Sequence, residues 1–131
     1  MNRNNKIVLI DDNKDYLFTM KTFLTKNGFE VSTAEDGQSG VELVEKEKPD
    51  IILLDVMMEN LFSGFEVCRR LRQNSDLKSI PIIGISGMAD EINVKFDKRK
   101  DFEYFSPEEF LEKPVDKGLL LKTIDKLINK K

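Results

Sequence analysis

Four consecutive branched aliphatic residues, Ile51-Ile52-Leu53-Leu54, follow Pro49-Asp50 and run directly into Asp55. The run is too short for a helix of ordinary length and reads as a strand buried on both faces, as in a parallel sheet covered by helices above and below. A carboxylate at its end stands where a parallel strand leaves the sheet, the edge at which open α/β folds bind their ligands. Alone, a strand-terminal aspartate is more often a turn former or helix cap. A second run, Ile7-Val8-Leu9-Ile10, closes in the same manner, with Asp11 and Asp12 before Asn13.

Between and beyond these runs the hydrophobic period changes repeatedly. From Asp15 onward Leu17, Met20, Phe23 and Leu24 share one helical face that Asn27-Gly28 stops. Phe29 to Ala34 returns to strand alternation around Val31, Asp36-Gly37 turns, and a helix carrying Val41, Leu43 and Val44 is ended by Pro49. After Asp55 a loop from Val56 to Gly64 leads to a helix with Phe65, Val67, Cys68 and Leu71. Pro81 then precedes a fourth strand, Ile82-Ile83-Gly84-Ile85-Ser86-Gly87. Ala89 to Lys100, with Ile92, Val94 and Phe96 among many charges, reads as an exposed helix, and Phe110 to Pro114 as a short fifth strand. Leu120, Leu121, Ile124, Leu127 and Ile128 form the apolar stripe of a closing helix whose lysine-rich end suits the negative end of the helix dipole. Strands alternating with helices, without repeats or low-complexity linkers, predict a three-layer α/β domain with a parallel sheet.

Composition narrows the chemistry. With 131 residues, 40% hydrophobic and 34% charged, the chain is expected to be one domain over 1–131, its core at about 6–130. A formal charge of −3 gives no basic excess for direct nucleic-acid binding. The polar start, Met1 to Lys6, lacks the apolar stretch of a signal peptide or membrane span, so a cytoplasmic location without membrane insertion is the default. Cys68 is the only cysteine, which excludes an internal disulfide and suggests a buried small hydrophobe. There is no histidine, hence no imidazole base, no Ser-His triad, and any metal must be held largely by oxygen.

Parallel strands present their carboxyl ends at one edge, so Asp11, Asp12, Asp55, Ser86 and Lys113 are expected to converge there. Crowded carboxylates repel one another and call for a counter-charge. A divalent cation supplies it, and oxygen-only ligation by few protein donors suits Mg²⁺, which keeps several waters and takes carboxylates plus a phosphate oxygen. Lys113 adds an ammonium and Ser86 a hydroxyl donor, making places for three phosphoryl oxygens. A carboxylate can accept a phosphoryl group covalently, which assigns Asp55 as the nucleophile.

Asp11-Asp12 after the first strand, Asp55 after the third, Ser86-Gly87 after the fourth and Lys113-Pro114 after the fifth resemble the response-regulator receiver domain of bacterial two-component signalling, over nearly the whole chain. The resemblance implies a flavodoxin-like α/β/α sandwich with five parallel strands in the order 2-1-3-4-5. It implies an aspartyl phosphate on Asp55, received from a histidine kinase or phosphotransfer protein and lost by slow self-catalysed hydrolysis. Asp12 would bind Mg²⁺ directly, Asp11 through a water, and Met57 through its carbonyl. Ser86 and Lys113 would hold phosphoryl oxygens, Phe110 would be the switch aromatic, and Lys113-Pro114 a cis peptide. This chain departs from the pattern at Glu59, where proline is common, in a loop to Gly64 one residue longer than usual. It departs again in a longer Ser86–Lys113 segment with Ser106-Pro107 in place of Gly-Ala. The expected role is a stand-alone receiver that signals by docking to a downstream protein the sequence does not name. The alternatives are a pseudo-receiver that binds proteins without phosphate and a small-phosphoester hydrolase, whose Asp-x-Asp spacing Asp11-Asp12-Asn13 lacks. A flavin carrier is disfavoured because no phosphate loop follows the first strand.

Overall fold

A computed structural model describes residues 5–55, 63–86, 109–112 and 114–129, with the backbone alone at 63–65, 86, 110 and 112. The described elements, in order, are β1 (Lys6–Ile10), α1 (Lys14–Lys26), β2 (Glu30–Ala34), α2 (Gly37–Glu47), β3 (Ile51–Asp55), α3 (Ser63–Arg72), β4 (Ile82–Ser86), β5 (Glu109–Glu112) and α4 (Lys117–Ile128). The strands form one sheet in the order β2-β1-β3-β4-β5, every neighbouring pair parallel, as expected.

Both aliphatic runs are buried on both faces because the sheet separates two apolar layers. Val8, Ile10, Ile52 and Leu54 pack with Val41 and Val44 of α2 and with Val67, Cys68 and Leu71 of α3. Their alternates Ile7, Leu9, Ile51 and Leu53 pack with Leu17, Met20 and Leu24 of α1 and with Leu120, Ile124 and Leu127 of α4. Full burial of each such side chain is worth about 1.5–3 kcal/mol against exposure, so these two layers are the main stabilising term. Cys68 is buried and free of any disulfide, the role its neighbours imply.

Polar residues set the element ends. Asn13 caps α1 by accepting the Tyr16 N–H at 3.0 Å, Asp36 caps α2 through the Ser39 N–H at 2.8 Å, and Asp116 caps α4 through the Leu119 N–H at 2.9 Å. At the end of α1, Gly28 adopts φ +94°, and the Phe29 N–H donates back to the Leu24 carbonyl at 3.2 Å. That bond commits Phe29 to the helix terminus, so β2 begins at Glu30 rather than at the expected Phe29.

The fifth strand also shifts relative to expectation. It pairs Glu109 with Ile83 and Glu112 with Ser86, which uses the last residue of β4, so it ends at Glu112 and not at Pro114. Pro114, without an N–H, has no ladder donor to extend it. The expected helix over Ala89–Lys100 and the departures at Glu59 and Ser106-Pro107 lie outside the described residues. Among the described residues no helix is long and apolar enough to cross a membrane.

Candidate functional site

The sheet register assembles the carboxyl edge. Ile10 pairs with Leu54, so the residues that follow, Asp11 and Asp55, are brought side by side at the ends of adjacent central strands. Asp11 continues the ladder on its other side, its N–H donating to the Ala34 carbonyl at 3.1 Å. On the far side of β3, Asp55 pairs with Ile85, and Ser86 with Glu112, so the backbones of Ser86 and of the residue before Lys113 reach the same edge.

Three carboxylates meet there. One oxygen each from Asp11, Asp12 and Asp55 lies within 4.8 Å of the others. Asp11 and Asp55 are buried, whereas Asp12 is exposed and opens the cluster to solvent. Asp11 is held by the Asn13 N–H, which donates to its Oδ1 at 2.9 Å. The donor set consists of hard oxygens at a spacing one ion and its waters can bridge, which fits a small divalent cation and no soft metal. Burial of Asp11 and Asp55 leaves the repulsion between those two carboxylates poorly screened, which a cation held here would offset.

Tyr16, in the first turn of α1, was not singled out from the sequence. Its side chain lines a small recess together with Asp11 and Asp55, and its hydroxyl is buried. Burial chiefly, and then the Asp11 and Asp55 carboxylates, push the phenol well above the ordinary tyrosine range, so it stays protonated. A signal was present: Tyr16 lies four residues after Asp12 and four before Met20, which places it at the site end of the buried helix face.

The predicted residues thus divide. Asp11, Asp12 and Asp55 come together. Ser86 and Phe110 are placed by backbone, at the end of β4 and within β5. Met57 and Lys113, with the Lys113-Pro114 peptide, lie outside the described residues.

Comparison with known proteins agrees with this edge. The profile of the family described as Response regulator receiver domain matches residues 7–125. Protein PilH of Pseudomonas aeruginosa is 33% identical over 123 residues, covering 94% of this chain and 97% of that protein. The alkaline phosphatase synthesis transcriptional regulatory protein PhoP of Bacillus subtilis is 35% identical over 85% of this chain, which spans only 43% of PhoP. Among solved structures, the chemotaxis response regulator CheY4 of Vibrio cholerae superposes with a TM-score of 0.79 at 26% identity, covering 95% of this chain and 99% of that one. The chain belongs to the response regulator receiver domain family, the phosphoryl-accepting modules of two-component signalling.

Proposed function

We propose that the chain, as a single receiver domain over 1–131, accepts a phosphoryl group on Asp55 in a Mg²⁺-dependent transfer from a histidine kinase or phosphotransfer protein. The observation that carries this reading is the meeting of the Asp11, Asp12 and Asp55 carboxylates within 4.8 Å at the carboxyl edge of a parallel sheet. Asp12 and Asp55 would hold the cation directly, Asp11 through a water, and Met57 through its carbonyl. When bound, the cation supplies charge neutralisation for the crowded carboxylates and for one phosphoryl oxygen.

The chain's own residues do the rest. An Asp55 carboxylate oxygen attacks phosphorus, the bond from phosphorus to the donor imidazole breaks, and the imidazole leaves with a proton. Ser86 donates to a second phosphoryl oxygen and Lys113 pairs with a third. Water attack on phosphorus later returns phosphate and the free carboxylate, so the chain catalyses only its own loading and unloading. The new charge draws Ser86 inward and Phe110 with it, biasing a docking surface for a downstream protein between two states. The expected setting is the cytoplasm.

Incubation with Mg²⁺ and acetyl phosphate tests the assignment. Mass spectrometry should find one added phosphoryl group on the wild type and none on Asp55→Asn. Equal labelling of both would remove Asp55 from its role, and a wild type inert to acetyl phosphate and to beryllofluoride would leave a phosphate-independent binding module.

A further inference from the structure

Asn13 follows the two acids of β1, and the acceptor reading gives it no task. It is exposed, and an asparagine before a helix is ordinarily a cap and nothing more. Here the cap is tied to the cluster. Three hydrogen bonds fix Asn13: its carbonyl accepts the Leu17 N–H at 3.0 Å, its Oδ1 accepts the Tyr16 N–H at 3.0 Å, and its own N–H donates to Asp11 Oδ1 at 2.9 Å. The first two bind Asn13 to α1. The third binds Asp11 to Asn13.

These bonds carry position from the core to the carboxylate. Leu17, Met20 and Leu24 bury α1 against the sheet, so the helix start cannot drift. The cap holds Asn13 extended at φ −91° and ψ 107°, which sets where its N–H points. Asp11 is pinned on the other side, its own N–H donating to the Ala34 carbonyl at 3.1 Å. Between these anchors lies the aspartate side chain, whose terminal torsion is intrinsically broad. A backbone donor to one carboxylate oxygen narrows that torsion, and a bond to an ionised acceptor is stronger than a neutral one. Partners of this kind orient the groups that face a metal.

We propose that Asn13 is a positioning residue of the cation site: by capping α1 it keeps its own N–H on Asp11 Oδ1 and so fixes the orientation of the Asp11 carboxylate. The inference rests on the acceptor reading above and adds to it a residue whose side chain acts on the site through the helix it caps.

Calorimetric titration of the chelator-stripped full chain with Mg²⁺ tests it. Asn13→Ser keeps a capping oxygen and Asn13→Ala removes it; neither changes the charge of the cluster. Asn13→Ser should bind Mg²⁺ as the wild type does, and Asn13→Ala about tenfold more weakly. Ile124→Val, a core deletion in α4, lowers the urea midpoint as loss of a cap does and should leave Mg²⁺ affinity unchanged. Asp11→Ala removes the oxygen that the N–H orients, so adding Asn13→Ala to it should change the affinity by less than about twofold. Asn13→Ala within about twofold of the wild type, or an undiminished tenfold effect without the Asp11 carboxylate, would leave Asn13 a cap alone and overturn the proposal. A wild type that binds no Mg²⁺ would instead overturn the acceptor reading on which it rests.

Discussion

Gly40→Ala places one carbon where α2 crosses β1. A Cβ built at Gly40 meets three atoms of Ile10: Cδ1 at 2.6 Å, Cγ1 at 2.9 Å and Cγ2 at 3.0 Å. Swinging Cδ1 aside relieves only the nearest of these, because Cγ1 and Cγ2 are anchored to the branched Cβ. Ile10 is 1% exposed and belongs to the same buried cluster as Ala34, Val41, Val44 and Leu54, so it can give way only by displacing packed neighbours. Overpacking of this kind costs about 1–3 kcal/mol, and the better helix propensity of alanine returns up to about 1 kcal/mol. The expected net loss is about 1–2 kcal/mol, or roughly 3–10 °C in Tm for a domain of this size. Urea unfolding followed by circular dichroism, with metal removed, measures it. Ile10→Val deletes only Cδ1, so the double variant should be less damaged than the sum of the two singles by at least about 0.5 kcal/mol. A Gly40→Ala protein as stable as the wild type, or strictly additive with Ile10→Val, would refute the close approach.

Three other outcomes follow from local physics. Lys48 ends α2 in the left-handed region at φ 46°, so Lys48→Gly should raise stability by about 0.5–1 kcal/mol in the same urea assay. Asp12→Asn removes the exposed member of the crowded cluster, which should stabilise the metal-free protein by about 0.2–1 kcal/mol. By contrast, Mg²⁺ at ten times its Kd should stabilise the wild type by about 1.4 kcal/mol and the variant by less at the same concentration, readable as a thermal shift. The Glu66 carboxyl is held below the ordinary carboxylate range, first by its hydrogen bond from Arg69, with Nε to Oε1 at 3.0 Å, and then by the charges of Arg69 and Arg70. A lowered folded-state value contributes stability above the unfolded pKa that is lost as pH falls through the folded one. Because the pair is about half exposed, the effect is a few tenths of a kcal/mol. The stability gap between wild type and Glu66→Gln should therefore be full above the ordinary glutamate pKa and close only as pH falls through the lowered one, as urea unfolding across that range would show.

The alternation of strand and helix, the parallel sheet and the carboxylates at strand ends were all legible in the chain itself, because each depends on local period and on which residue follows a strand. Ile7–Ile10 and Ile51–Leu54 announced buried strands without revealing which side chain faces which layer, since an uninterrupted aliphatic run carries no alternation to read. Only tertiary structure settled that Val8 and Ile10 meet α2 and α3 while Ile7 and Leu9 meet α1 and α4. Asp11 and Asp55 lie 44 positions apart in the chain, and their juxtaposition comes from the pairing of Ile10 with Leu54. The same holds for Gly40 against Ile10 and for Tyr16 beside the carboxylates. These proximities depend on how closely a helix can approach a strand, a property of two distant segments and their shapes, whereas period and strand ends belong to a few neighbouring residues.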